Sequence, residues 1–254
     1  MTASANKALI TGASTGIGKA YAEKLAGRGY DLVLVARDEA RLVALGPRLA
    51  MAHGVACEVL AADLTEPADL ACVEQKLESD SALTMFVNNA GIAATGPQLE
   101  TPAALIETLV ALNVTAATRL ALAAGRAFSA RGRGTIVNMA SAVAVNPERF
   151  NAVYSGSKAF VLALSQALTK ELAARGVKIQ TVMPGATRTE IWQRSGRDPA
   201  TINPDVLMEA DELVDAALAG LDQGETITIP SLPDPQDLID YESARKKLFP
   251  NLSW

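Results

Sequence analysis

Seven short apolar runs, mostly β-branched and aliphatic, recur along the chain at residues 8–11, 32–36, 56–61, 84–88, 134–139, 178–183 and 226–229. Longer Ala- and Leu-rich segments with helical spacing separate them, at 18–27, 39–53, 67–79, 101–131, 152–175 and 211–222. A strand that is apolar on both faces must be covered on both faces. Strands alternating with helices therefore imply a parallel sheet with a helical layer on each side. No Pro/Gly/Ser linker interrupts the rhythm, so the expectation is one doubly wound α/β domain over residues 1–254. Two stretches depart from it: 184–210, expected to act as a lid over a substrate, and a proline-bearing tail, 230–254.

Composition excludes several classes of function. With 254 residues, 49% of them hydrophobic, the chain can bury a sizeable core. Its formal net charge of −5 argues against a nucleic-acid-binding surface. Cys57 and Cys72 are too far apart for a C-x-x-C pair, and with His53 as the only histidine no ordinary zinc site is expected. Free thiols are the expected state, as in a reducing cytosol. The opening MTASANKALI has no basic segment leading into a long apolar one, and no 18 apolar residues run uninterrupted. A cytoplasmic protein with no membrane partner and no metal is therefore expected.

The first apolar run leads into LITGASTGIGKAYA, residues 9–22. A hydrolase phosphate loop needs G-x-x-x-x-G-K followed by Ser or Thr. Here Ala13 and Ala20 occupy the first and last of those positions, so the match fails twice. The strict dinucleotide pattern G-x-G-x-x-G fails too, because Gly12, Gly16 and Gly18 are spaced G-x-x-x-G-x-G. The physics can still serve a dinucleotide. Glycines allow a tight turn and close approach to a diphosphate, and the helix that follows points free N–H groups at the anion. On these residues alone, an incidental turn remains open.

Further residues follow in order: Asp63, Asn88-Asn89-Ala90-Gly91, Asn113, Ser141, Tyr154-Ser-Gly-Ser-Lys158 and Pro184-Gly-Ala-Thr-Arg-Thr-Glu190. Together with TGASTGIG, the series resembles the short-chain dehydrogenase/reductase family in its compact form, from about residue 6 to residue 229. The resemblance implies a Rossmann-type domain with a mainly seven-stranded parallel sheet flanked by helices. It also implies an enzyme that moves a hydride between a nicotinamide cofactor and a carbonyl or secondary alcohol. Homodimers or homotetramers built on the helices at 101–131 and 152–175 are implied as well.

The family's roles carry over residue by residue. Tyr154 is the implied general acid/base, and Lys158 holds the nicotinamide ribose. Being four apart on a helix, the two share one face. An ammonium beside the phenol, with a cationic oxidised nicotinamide adding to it, is expected to lower its pKa from about 10, and a drop of roughly three units corresponds to about 4 kcal/mol. Ser141, at the carboxyl end of TIVNMAS, is implied to bond the substrate oxygen. Asn113, a poor helix former inside ALIETLVALNVTAATRLA, is implied to anchor Lys158 through water. Ser155-x-x-Lys158 also fits a serine acyl enzyme, but the S-D-N and K-T-G companions of that class are missing. A catalytically idle redox sensor is the other rival.

For the cofactor, the implied contacts come from Gly12, Ser14, Thr15, Gly16, Ile17 and Gly18 in the turn. Leu64 and the Asn89-Ala90-Gly91 run add to them, as do Tyr154 and Lys158. Asn88 is read with Ala90 and Gly91 as lining the adenosine side and bracing the sheet. Pro184, Gly185 and Thr187 turn the chain over the cofactor, and Thr189 bonds the carboxamide. Asp63 resembles the aspartate that receives the adenine amino group, while Thr65-Glu66-Pro67 beside it reads equally well as a helix start. At the end of the second run Ala36 stands where NAD enzymes place a carboxylate, and Arg37 follows it. Asp38 reads as the cap of the next helix. NADP(H) is thus expected over NAD(H), which remains possible.

Residues 93–99, 142–151 and 186–210 are expected to wall the substrate pocket with Val143, Val145, Phe150, Ile191 and Trp192. Such walls suit a ketone, aldehyde or secondary alcohol of moderate size. Arg188 and Arg194 either recognise an acidic group or are solvated. The tail, with Leu238, Ile239, Tyr241, Leu248 and Phe249 among its charges, reads either as an amphipathic helix packed on a neighbouring subunit or on the lid, or equally as a plain surface helix.

Overall fold

The apolar runs pair side by side into one parallel sheet. The computed structural model describes residues 6–248 and Pro250. The main strands are β1 (Lys7–Thr11), β2 (Asp31–Ala36), β3 (Cys57–Ala61), β4 (Leu83–Asn88), β5 (Gly134–Met139) and β6 (Val177–Val182). After β6 come a short pair, β7 (Thr187–Arg188) with β8 (Met208–Glu209), and then β9 (Ile227–Thr228). The main sheet has the order β3-β2-β1-β4-β5-β6-β9, and every neighbouring pair in it is parallel. All seven expected strands are present in this Rossmann-type arrangement.

Side chains alternate across the sheet with period two. Ile10, Leu32, Leu34, Val87, Val137 and Val182 face one layer, which holds Leu25 of α1 (Gly16–Gly27), Leu42 of α2 (Glu39–His53) and Leu213 of α8 (Ala210–Asp222), the helix that follows the one-turn α7 (Ile191–Arg194). Leu9, Val33, Val35, Phe86, Ile136 and Ile179 face the other. That layer holds Val73 of α3 (Pro67–Ser79), Phe128 of α5 (Ala117–Arg131) and Leu168 of α6 (Ala152–Leu172).

The sheet order reverses between β1 and β4, which opens a crevice at the strands' carboxyl ends. The glycine turn, Arg37, the NNAG run, Ser141 and Pro184 all follow directly from those ends.

Local chemistry sets the helix ends. The Asp38 carboxylate accepts the Arg41 N–H at 3.1 Å and caps α2, as expected from the sequence. Asn151 caps α6 by accepting from the backbone of Val153 and Tyr154 at 3.1 and 3.2 Å. Between α4 (Ala103–Leu109) and α5 the helix widens into a π-helical stretch, Val110–Ala116, and Asn113 lies within it. The continuous stretch Ala103–Arg131 is long and apolar enough to cross a membrane by length and composition. Here Leu120, Ala123, Ala124 and Phe128 of that stretch are buried in the second core layer.

The tail forms a helix, α9 (Pro235–Leu248), and of the two alternatives the sequence offers it is the plain surface helix. None of its residues is buried, and Ile239, Tyr241 and Leu248 are exposed. The half-buried side is shared by Leu238 and Glu242, and Glu242 accepts from Gln166 of α6 at 3.2 Å. A charge on the packing side replaces the apolar stripe. Phe249 and residues 251–254 of the tail lie outside the described residues.

Candidate active site

The glycine turn is built as its spacing requires. Gly12 and Gly16 have φ of +69° and +54°, the left-handed region where side chains are strained. A Cβ on Gly12 would lie 2.8 Å from Asn89 Nδ2, and one on Gly18 would strike the Gly12 carbonyl oxygen. Thr15 precedes α1 without a side-chain cap, so the first-turn N–H groups have no side-chain acceptor there. A helix start with free donors beside glycines that admit a close ligand fits a diphosphate. Lys19 does not line the cleft and lies 4.0 Å from Glu23, unlike the lysine of a hydrolase phosphate loop.

One residue of this region escaped the sequence reading. Thr11, fully buried at the end of β1, accepts the backbone N–H groups of Asn89 and Ala90 at 3.0 and 3.1 Å. Asn89 Nδ2 donates back to the Thr11 carbonyl at 2.9 Å. Thr11 therefore locks the NNAG run against the glycine turn. The available signal was a hydroxyl in an otherwise apolar strand. Asn88 takes only half of its expected role. It braces the sheet, donating to the Ala117 carbonyl at 2.9 Å and to Asn138 Oδ1 at 3.0 Å, but it does not line the cleft, because its side chain points into the helical layer.

Ser141, Tyr154 and Lys158 converge on the cleft. The Ser141 hydroxyl donates to the Pro184 carbonyl at 3.2 Å and lies close enough to the Tyr154 phenol to favour its charged form. Lys158 Nζ donates to the Met139 carbonyl at 2.9 Å and lies 6.0 Å from the Tyr154 ring centroid. Burial pushes the Lys158 ammonium down to about 8. Burial also pushes the Tyr154 phenol above its ordinary value, with Ser141 pulling the other way. The protein's own groups thus raise the phenol where Lys158 was expected to depress it: burial is the larger influence, and Ser141 is the group that opposes it.

Asn113 does not line the cleft. Its Oδ1 accepts from Ile92 N at 3.0 Å, and its Nδ2 donates to Ile92 O at 2.8 Å and to Ser157 Oγ at 3.2 Å. Ser157 in turn donates to the Tyr154 carbonyl at 2.7 Å. A Cβ on Gly91 would sit 3.1 Å from Asn113 Oδ1 and 3.4 Å from Lys158 Nζ, so the missing side chain lets these two groups approach. Ser155 Oγ is buried, off the cleft, with no hydrogen-bond partner among the described residues. That placement removes the acyl-enzyme alternative.

At the nucleotide end, Arg37 and Asp63 both line the cleft with Leu64 and pair at 3.6 Å. Burial pushes the Asp63 carboxyl up, but bonds from Thr65 N and Oγ1 at 3.0 and 2.7 Å, with Arg37, hold it below its ordinary value. Asp63 thus both shapes the turn before α3 and faces the cleft. Thr189 lies across from the glycine turn, since a Cβ on Gly16 would meet its methyl at 3.0 Å. Pro184, Gly185 and Thr187 also line the wall, as do Ser14, Thr15 and Ile17 opposite.

The cleft of about 1070 Å³ continues past Tyr154 between Val143, Phe150, Ile191 and Trp192. Val145 is not on this wall but packs into a separate apolar cluster. Arg188 also turns away from the cleft and pairs with Glu209 at 2.6 Å, whereas Arg194 lines it, paired with Glu190 at 2.7 Å.

This chain matches the family model described as short chain dehydrogenase over residues 6–200. It is 49% identical to a short-chain dehydrogenase from Sphingobium yanoikuyae solved in complex with NADPH, with a TM-score of 0.95 over 98% of this chain and 96% of that one. It is 42% identical to the bulky-bulky ketone specific alcohol dehydrogenase from Comamonas testosteroni, with a TM-score of 0.89 over 97% of this chain and 94% of that one. Among curated proteins it is 32% identical to human 17-beta-hydroxysteroid dehydrogenase type 3 over 83% of this chain and 66% of the human protein's length.

Proposed function

The chain belongs to the short-chain dehydrogenases, oxidoreductases acting on hydroxyl and carbonyl groups, and from that premise we propose that it is an NADP(H)-dependent reductase of ketones flanked by apolar groups. The observation that carries this reading is the convergence of Ser141, Tyr154 and Lys158 on the cleft that the glycine turn opens.

When bound, the nicotinamide supplies or accepts the hydride. Free N–H groups at the start of α1 would hold the diphosphate, and Lys158 would hold the ribose. Ser141 donates to the substrate carbonyl oxygen and fixes it beside the Tyr154 hydroxyl. Tyr154 delivers its proton to that oxygen as the carbon is reduced, and takes one back in the oxidative direction. Burial favours the neutral phenol, the form that carries the proton to be delivered. Asn113, through Ile92 and Ser157, sets the α6 turn that carries the pair. The reading includes self-association through α5 and α6, where Leu122 and Phe160 are exposed.

The apolar walls and the likeness to the ketone-specific enzyme support bulky ketones as substrates. A panel of aryl-alkyl ketones, aldehydes and secondary alcohols, followed by NADPH absorbance, tests the reading. Oxidation of NADPH by bulky ketones is expected; no turnover of any panel member in either direction would end it.

Cofactor choice rests on Arg37, which is 61% exposed at the side chain and free to exchange Asp63 for a 2′-phosphate. A hydrogen-bonded charge contact of this kind contributes roughly 1.5–3 kcal/mol. Arg37→Ala is therefore expected to raise KM for NADPH about 10- to 100-fold, with KM for NADH changing by less than about twofold. Equal losses with both cofactors would refute the assignment.

A further inference from the structure

One lid cation is left unanswered by the acids around it. Arg188 and Arg194, the arginines that sequence suggested for recognising an acid, are paired with Glu209 and Glu190. Arg197 lines the cleft and has no ion-pair partner among the described residues. Its guanidinium lies 5.8 Å from the Trp192 ring centroid, and its backbone N–H donates to the Trp192 carbonyl at 2.9 Å. Trp192 is itself pinned, its indole N–H donating to the Thr187 carbonyl at 2.7 Å. The neighbouring Asp198 turns its carboxylate to the Ala200 N–H at 2.9 Å.

Two ties place this cation along the cleft. Glu190 accepts from Arg41 of α2 at 2.8 Å, which fixes the start of the lid near Arg37 at the nucleotide end. Further along the lid, Thr95 Oγ1 donates to the Ser195 carbonyl at 2.6 Å. Thr95 belongs to the wall that Gln98 joins to the start of α6, donating to the Phe150 carbonyl at 3.0 Å and accepting from Ala152 N. The chain at Ser195, two residues before Arg197, is therefore tied to the wall that leads to the start of α6, the helix that carries Tyr154.

We infer that Arg197 receives an anionic group carried by the substrate at the end away from its carbonyl, so that the preferred substrate is an apolar ketone with a carboxylate tail. This rests on the carbonyl-reductase reading above. Trp192 packs the apolar body, and the planar guanidinium offers two parallel N–H donors to the carboxylate.

The test compares 4-phenylbutan-2-one with its para-carboxylate at saturating NADPH. Wild type is expected to show kcat/KM at least about fivefold higher for the carboxylate, with Arg197→Ala abolishing that preference and Arg197→Lys restoring part of it. Equal kcat/KM for the two ketones in wild type, or a preference that survives Arg197→Ala, overturns the inference. Calorimetric titration of each ketone into the protein with NADP⁺ separates this from the reading beneath it. Charge-selective binding that depends on Arg197, without turnover, keeps the inference and ends the reductase reading. Turnover without charge selectivity does the reverse, and neither turnover nor selectivity ends both.

Discussion

Tyr154→Phe is expected to lower kcat for ketone reduction by about 10²- to 10⁴-fold, the range that a positioned proton donor contributes. The change removes one oxygen and keeps the ring, so the packing at the start of α6 is preserved and the Asn151 cap on the Tyr154 N–H is untouched. NADPH should still bind, because the glycine turn and Arg37 are separate from the phenol. Calorimetry can check that against the kinetic loss. The pH profile carries the same information with opposite signs in the two directions. Burial raises the phenol, so the acid form persists through neutrality and reduction should be flat there, falling only at alkaline pH. Alcohol oxidation needs the phenolate and should climb with pH. A variant that kept kcat within tenfold of wild type would remove Tyr154 from the chemistry and leave Ser141 as a mere strand-end hydroxyl.

The order of strands and the positions of Gly12, Ser141, Tyr154 and Lys158 were legible because each is announced locally. An apolar β-branched run becomes a strand, a glycine marks a turn, and a spacing of four puts two side chains on one helix face. What was not legible depends on groups distant in sequence. Thr11 matters because it meets Asn89 across β1 and β4. The segment 184–210 is held by Arg41 to Glu190 and by Thr95 to Ser195, neither of which has a local pattern. Asn113 looked like a flaw in a helix. The flaw is a π-helical turn whose side chain is spent on the loop after β4. The phenol's pKa was misjudged for the same reason: the ammonium four residues on is visible in sequence, whereas the burial that opposes it exists only in the fold.

Lys158→Met should separate catalysis from stability. The ammonium is 6% exposed, and its one hydrogen bond among the described residues goes to the Met139 carbonyl. Removing it takes away the positive charge that steadies the Tyr154 phenolate, so kcat should fall by about 10²- to 10³-fold. Stability should move the other way. Burial lowers Lys158 from 10.5 to about 8, so below pH 8 both folded and unfolded chains hold the proton and the fold bears the full cost of the buried charge. That cost is of order 3 kcal/mol, and losing the bond to Met139 gives back about 1 kcal/mol. Between pH 8 and 10.5 the unfolded chain holds a proton that the folded protein has released, so wild-type stability rises with pH through that window. The methionine variant lacks this slope. Tyr21 and Tyr154, which burial pushes upward, oppose it at higher pH in both proteins and largely cancel in the comparison. Urea unfolding at pH 7 should therefore find the inactive variant about 1–2 kcal/mol more stable than wild type, with the gap closing by pH 10. A variant less stable at pH 7, with a gap that does not change with pH, would mean that Lys158 is not held as a costly buried charge. It would then be one more packed side chain, kept for its hydrogen bond.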